Sequence, residues 1–323
     1  MIKKLIKIIL IITSTLIFLI VYLSFVGIET EKFNERITNK ILEINKKINL
    51  DLNDVKFILD PYNFKISIAT KYPTILIEGS KLQIKDIKTN VSLKSLIFDE
   101  FLIDDLEIST KSIKINDVIS LARSFKNSAE LFLLDRFIEG GFLTANISLK
   151  FDEEGKVKDD YQINGFIKSG EFNFLKQINA NNLNFEFDIN KNKYSLTKIK
   201  TKLNNINLSS PLIEISERKN LFLVNGKILT KEKAFNTSQL NTLLNDLLKN
   251  IDIQKIRFSS VNDFSFDINK KFKLNNLNIE SKINLDRLVL DNDLINLKLF
   301  LPNLSKIINF ENNKVIINYN KDN

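Results

Sequence analysis

Apolar residues follow three different spacings along the chain. From Ile8 to Ile28 the sequence is an unbroken apolar run with no charge between Lys7 and Glu29. At 1.5 Å rise per residue, about 20 such residues cross a hydrocarbon core about 30 Å thick, so the run predicts a membrane-spanning helix. A cleaved signal peptide is the competing reading, but its apolar region is usually about 7 to 15 residues and leads to a small-x-small cleavage site. Phe25 and Val26 spoil that pattern in Ser24-Phe-Val-Gly-Ile28, so an uncleaved anchor is expected. Lys3, Lys4 and Lys7 precede the run while Glu29 and Glu31 follow it. By the positive-inside rule the N-terminus is then cytoplasmic, and everything after Gly27 lies across the membrane.

The second spacing is helical. Phe33, Ile37, Ile41, Ile44 and Ile48 form one stripe, with Thr30 placed to cap, which predicts a helix over Glu31–Ile48 as a brace between anchor and body. From Asn49 onward the period is two. Runs such as Phe64, Ile66 and Ile68; Ile147 and Leu149; Ile163 and Ile167; Phe185, Phe187 and Ile189; Phe264, Phe266 and Ile268; Leu277 and Ile279; Leu297 and Leu299; and Val315 and Ile317 alternate apolar with polar. That is the mark of strands with one buried face, joined here by short polar turns in a meander. Two helices are expected to interrupt it, one from Asp117 to about Phe137, stopped by Gly140-Gly141, and one from Ser238 to Lys249. The organisation read from these periods is a Lys flank and anchor at 1–28, an amphipathic helix at 29–49 and a β body at 50–323. Its fold class is mainly β, with a transmembrane helix followed by a long, curled, groove-like antiparallel sheet and a few short helices.

The β body also echoes itself. Phe-x-Phe-Asp-Ile-Asn-Lys occurs at Phe185–Lys191 and again at Phe264–Lys270, each followed by an aromatic-x-Leu. This is either repetition of one supersecondary unit or the habit of an Ile-, Asn- and Lys-biased chain.

Composition narrows the chemistry. The sequence is 44% hydrophobic and 27% charged, as in a folded chain and unlike a disordered or many-span one. The net charge of +8 is spread as lysines interleaved with Asn, Asp and Ile, and it lacks the clustered arginines of a nucleic-acid surface. Cysteine and histidine are both absent, which removes disulfides, thiolate nucleophiles, the usual zinc ligands and the commonest general base. The 25 phenylalanines and no tryptophan supply apolar surface without polar tips.

Asp104-Asp105, Asp159-Asp160 and Asp291 with Asp293 sit at strand ends or turns, where Asp is favoured for backbone reasons. Asp291-Asn-Asp293 lacks the Gly and terminal Glu of a calcium loop. Gly165-Phe-Ile-Lys-Ser-Gly170 is followed by Glu171 and Phe172 where a phosphate loop needs Lys and Ser or Thr. No enzyme activity, metal or cofactor is expected.

A face with period two must be hidden by a second sheet or by a ligand, since large exposed apolar patches are rare. The anchor followed by Gly27-Ile-Glu-Thr-Glu-Lys-Phe-Asn34, the helix ending in Asn49-Leu-Asp-Leu52, Pro73-Thr-Ile-Leu-Ile77 and Phe151-Asp-Glu-Glu-Gly-Lys-Val-Lys-Asp-Asp-Tyr161 resemble the N-terminal part of bacterial AsmA-like envelope proteins, the group of the YhdP and TamB types. The resemblance implies a single-pass bacterial inner-membrane protein with its body in the periplasm, whose apolar sheet face carries phospholipid acyl chains towards the outer membrane. The residues that would line such a groove are Phe64, Ile66, Ile68, Ile147, Leu149, Ile163, Phe185, Phe187, Ile189, Phe264, Phe266, Ile268, Ile279, Leu299 and Ile317. Members of that group are generally longer. This sequence stops at Asn320-Lys-Asp-Asn323 just after a strand, so either it is a fragment or another envelope protein extends the sheet edge. The alternative reading is an envelope scaffold or assembly adaptor with a dry β-sandwich and no lipid cargo.

Overall fold

In the computed structural model the described residues are 2–32, 34–44, 48–77, 80–93, 103–125, 129–152, 156–174, 178–204, 206–218, 221–235, 253–269, 273–291, 301–303, 305 and 307–321. Among the described residues the protein is mainly β, with open, curled antiparallel sheet, few short helices and one apolar helix near the N-terminus. By contacts it divides into two compact units, Met1–Phe132 with Leu143–Gly165, and Leu133–Phe142 with Phe166–Asn323, within the stretch read from sequence as one body.

Unit 1 begins with α1 (Ile2–Phe25), of which Ile6–Phe25 is long and apolar enough to cross a membrane. The helix ends because Gly27 takes a left-handed φ of 75°, with the amides of Val26 and Gly27 both donating to the Tyr22 carbonyl at 2.8 and 3.2 Å. No linker follows. Ile28–Thr30 is a short strand, β1, paired antiparallel with β3 (Val55–Asp60), so the helix runs directly into the sheet. That pairing shortens the expected brace helix to α2 (Asn34–Ile44), because Thr30 is held as strand and its Oγ1 accepts from the Lys32 amide at 3.1 Å. Asn34 and Thr38 tie α2 to the carbonyls of Leu52 (3.1 Å), Asn53 (3.0 Å) and Leu50 (2.9 Å), beside β2 (Ile48–Asp51).

From β3 the pairing runs through β4 (Lys65–Lys71), β6 (Ser80–Ser92), β7 (Ile103–Thr110) and β9 (Ile138–Lys150), each neighbour antiparallel. β5 (Thr74–Ile77) joins the first residues of β6 to β2. β8 (Ile113–Lys114) leads into α3 (Ile115–Phe125), whose Val118 and Leu121 pack on buried Leu82, Ile84 and Ile113. The helix expected over 117–137 is two: α3, and α4 (Ala129–Phe137), which continues directly into β9. The helix expected at 238–249 lies outside the described residues.

Unit 2 contains β10 (Gln162–Phe174) from Phe166 on, then β11 (Ile178–Asn190), β12 (Lys193–Leu203), β13 (Ile206–Arg218), β14 (Leu221–Phe235), β15 (Ile253–Asn269), β16 (Leu274–Asp291) and β17 (Ile307–Lys321). From β11 to β17 each strand pairs antiparallel with the next. The two echoing segments are equivalent hairpins. One turns at Asn190–Lys193 through Asn192 at φ 62°, and the other closes with the Lys273 amide donating to Asn269 Oδ1 at 2.9 Å. Their paired rings, Phe185 with Phe187 and Phe264 with Phe266, have centroids 6.4 and 5.9 Å apart.

Curl is written into the strands as left-handed residues. Asn182 in β11, Lys198 in β12, Asn276 in β16 and Asn312 in β17 have φ of 53°, 53°, 52° and 55°. Asn tolerates this conformation better than other residues with a side chain, and a residue inserted in this way bends and twists its strand.

At Gly27 a Cβ would collide with the Phe57 carbonyl oxygen and lie 3.0 Å from Ile58 Cγ1, besides being strained at positive φ. Gly27→Val is expected to destabilise the α1–β1–β3 junction by roughly 1–3 kcal/mol, read as faster amide exchange in 28–30 and 55–58 with β14–β16 unchanged.

Candidate functional site

Residues opposite one another in an antiparallel ladder share a face, so the register shows which apolar side chains form continuous rows. In unit 2 one row crosses seven strands: Phe187, Leu196, Ile213, Gly226, Phe264, Ile279 and Tyr319. At about 4.8 Å between strands, its six intervals span about 29 Å. Beside it on the same face runs Ile189, Tyr194, Ile215, Val224 and Phe266, and then Phe222, Ile268 and Leu274. Further along that face Phe235 stacks on Phe258 at 4.8 Å, and Ile206, Leu208, Ile256 and Leu288 close a cluster around them.

Burial follows the face. On β16, Ile279, Ser281, Ile283 and Leu285 are half-buried or buried, while Asn278, Glu280, Lys282 and Asn284 are exposed. The apolar row is nevertheless largely uncovered. Phe187, Leu196, Ile213, Phe264 and Ile279 are half-buried, and Tyr319 on β17 is 48% exposed. Gly226 is the narrow point of the row: a Cβ there would stand 2.5 Å from Phe264 Cζ and 3.0 Å from Ile213 Cγ1, so the Phe264 ring lies over the glycine and fills the gap.

The opposite face is polar. Lys227 pairs with Asp263 (3.1 Å), Lys193 with Glu214 (2.6 Å), Lys198 with Glu186 (2.8 Å) and Lys282 with Glu280 (2.9 Å). A concavity of about 910 Å³ is lined by Leu212, Lys227 and Asp263 together with Gly226, Phe264 and Ile279 of the row.

Unit 1 repeats the arrangement on a smaller scale. Ile28, Phe57, Ile68, Thr89, Leu106 and Leu149 form one row, flanked by Val55, Thr70, Ile87, Ile108 and Ile147 and by Leu59, Ile66, Val91 and Ile103. α3 covers the end near Leu82 and Ile84, whereas Phe57, Ile66, Ile68, Leu106 and Leu149 stay half-buried. The reverse side carries a hydrogen-bonded chain from Ser67 through Asn90 to Asp105, and Lys65 pairs with Asp104 at 3.0 Å. Among the described residues no three carboxylates converge as a metal site would need.

Of the residues expected to line a groove, Ile66, Ile68, Ile147 and Leu149 share the unit 1 face, and Phe187, Ile189, Phe264, Phe266, Ile268, Ile279 and Ile317 share the unit 2 face. Ile163 is half-buried on β10, Phe185 is half-buried on β11, and Ile317 is 49% exposed on β17. Leu299 lies outside the described residues. Phe64 is a correction. It belongs to the β3–β4 turn and not to a strand, with φ 51° and 67% exposure, because the Asp60 carboxylate accepts from Asn63 N and Nδ2 (3.1 and 2.8 Å) and pins a turn before the chain can extend. Sequence reasoning missed Gly226 as part of the apolar face, since a glycine reads as a gap in an alternation. The neighbouring Leu223-Val-Asn-Gly-Lys-Ile-Leu229 was the available signal.

No protein family, no curated protein and no solved structure matches the chain.

Two outcomes follow from this geometry. Gly226→Ala should cost roughly 1–3 kcal/mol by overpacking, and Phe264→Leu in the same chain should recover part of the loss, so a double-mutant cycle in urea unfolding reads a favourable coupling. At the turn, the Asn63 side-chain and backbone hydrogen bonds hold the Asp60 carboxyl below its ordinary value of 3.8. A depressed carboxyl stabilises the fold above its unfolded pKa and loses that contribution as pH falls through the folded one. The Asn63 amide proton should therefore titrate in NMR with a midpoint below 3.8.

Proposed function

We propose that the chain is a membrane-anchored lipid-transfer protein of the AsmA-like kind, standing in a bacterial inner membrane with its sheet in the periplasm and carrying phospholipid acyl chains along its apolar face. The observation that carries this reading is the in-register apolar row of β11–β17, about 29 Å across at six strand spacings and left half-covered by the protein itself. An acyl chain suits it because from Phe187 to Ile279 the row offers length and apolar contact, with a hydroxyl only at its Tyr319 end, and burial of apolar area on either partner is favourable at about 25 cal/mol per Å². The charged pairs of the opposite face keep that side in water. Lys3, Lys4 and Lys7 ahead of the span and Glu29 and Glu31 after it support a cytoplasmic N-terminus. A dry scaffold would need its apolar face closed by protein, and the half-exposed row argues against that.

Full-length protein extracted with mild detergent is expected to carry phospholipid, detected by native mass spectrometry. Phe187→Asp and Phe266→Asp place a charge on the apolar face and should each remove most of the co-purified lipid, with circular dichroism unchanged. A folded wild-type chain free of lipid would favour the adaptor reading instead.

A further inference from the structure

The β3–β4 turn carries two of the most exposed aromatic side chains in the molecule, Tyr62 at 93% and Phe64 at 67%. Both belong to the turn and to no strand. The turn is nevertheless built firmly: Asp60 accepts two hydrogen bonds from Asn63, and the Phe64 carbonyl accepts from the Leu93 amide at 2.8 Å. Solvent gives no reason to hold two rings out on so fixed a tip.

Its position in unit 1 supplies one. β1 and β3 are antiparallel with Thr30 opposite Val55 and Ile28 opposite Phe57, so moving along β3 towards Asp60 is moving back along the chain towards α1. β3 continues three residues past Phe57, about 10 Å at 3.4 Å per residue, and passes Gly27, where an added Cβ would collide with the Phe57 carbonyl oxygen and lie 3.0 Å from Ile58 Cγ1. The end of α1 lies against β3, and Leu23 and Ser24 are half-buried while residues 8–19 are all exposed. The tip therefore stands beside the last turns of the apolar helix. Phe25, on that same end, is 83% exposed.

We propose that Tyr62 and Phe64 form a second membrane contact, resting in the interface of the bilayer that α1 crosses and fixing the sheet edge against the lipid surface. The inference rests on the reading of α1 as a membrane span. Tyrosine suits that depth because its ring is apolar and its hydroxyl stays among headgroups. The charged neighbours fit the same level: Asp60 is satisfied by Asn63, and Lys65 is paired with Asp104.

The chain contains no tryptophan, so a single one is an unambiguous reporter. Full-length Tyr62→Trp and Tyr22→Trp would be placed separately in phosphatidylcholine–phosphatidylglycerol vesicles, with and without bromine on the upper acyl carbons of the phosphatidylcholine. Phe64→Trp replaces Tyr62→Trp should the latter lose its β circular dichroism. Blue-shifted emission relative to the urea-unfolded chain, with loss of intensity on brominated lipid in both variants, is the expected result. Quenching in Tyr22→Trp alone overturns the proposal and leaves the span standing. No quenching in Tyr22→Trp overturns the span and the second contact together.

Discussion

Everything in the two units depends on strand register, because backbone pairing decides which side chains share a face and a slip of one residue would turn every apolar side chain outward. The bulges make this demanding. Between the pairs Ile213–Gly226 and Leu208–Thr230, β13 advances five residues (213 − 208) and β14 four (230 − 226), yet both pairs stay on one face. The extra residue is absorbed around Ser210 and Pro211, and the apolar set continues. Bending and facing are thus separate achievements: the bulges curl the strands while the pairing preserves the row.

An uncovered apolar face has a cost that a helix layer would have removed. In unit 1 part of it is removed, since α3 packs Val118 and Leu121 on Leu82, Ile84 and Ile113. In unit 2 the cover comes from the sheet's own neighbours, most completely where Phe235 and Phe258 stack and Ile206 is 2% exposed. The cover thins towards Phe264, Ile279 and Tyr319. Protein–protein burial is used to fix the fold at one end of the face, and the remainder is left with contact surface to spare.

The strands were legible because each is long and alternates over several residues, so Phe185, Phe187 and Ile189, or Phe264, Phe266 and Ile268, could hardly be read otherwise. What the alternation does not encode is the partner. That Leu196 meets Phe187, or that Gly226 sits between Ile213 and Phe264, is a long-range fact of pairing. Short elements escaped for a different reason. Ile28–Thr30 is three residues whose strand character comes from β3, and its pairing is what moves the start of α2 to Asn34. Phe64 continued the alternation of Ile66 and Ile68 on paper, but the local hydrogen bonds of Asp60 outweighed the pattern. The abundance of asparagine, which read as a bias of composition, proves to have structural use: five of the nine described non-glycine residues at positive φ are Asn182, Asn192, Asn204, Asn276 and Asn312.

Gly27 gives the joint between helix and sheet its character. A flexible tether would let the sheet wander whatever the helix did, but here only Val26 and the left-handed Gly27 separate α1 from a strand already hydrogen-bonded to β3. Such a joint has no slack, so for a helix seated in lipid its tilt becomes the attitude of the first strands. A span longer than the hydrocarbon core accommodates the mismatch in part by tilting. With α1 in a bilayer, the sheet edge would thereby be geared to it and would lean differently in a thin bilayer than in a thick one.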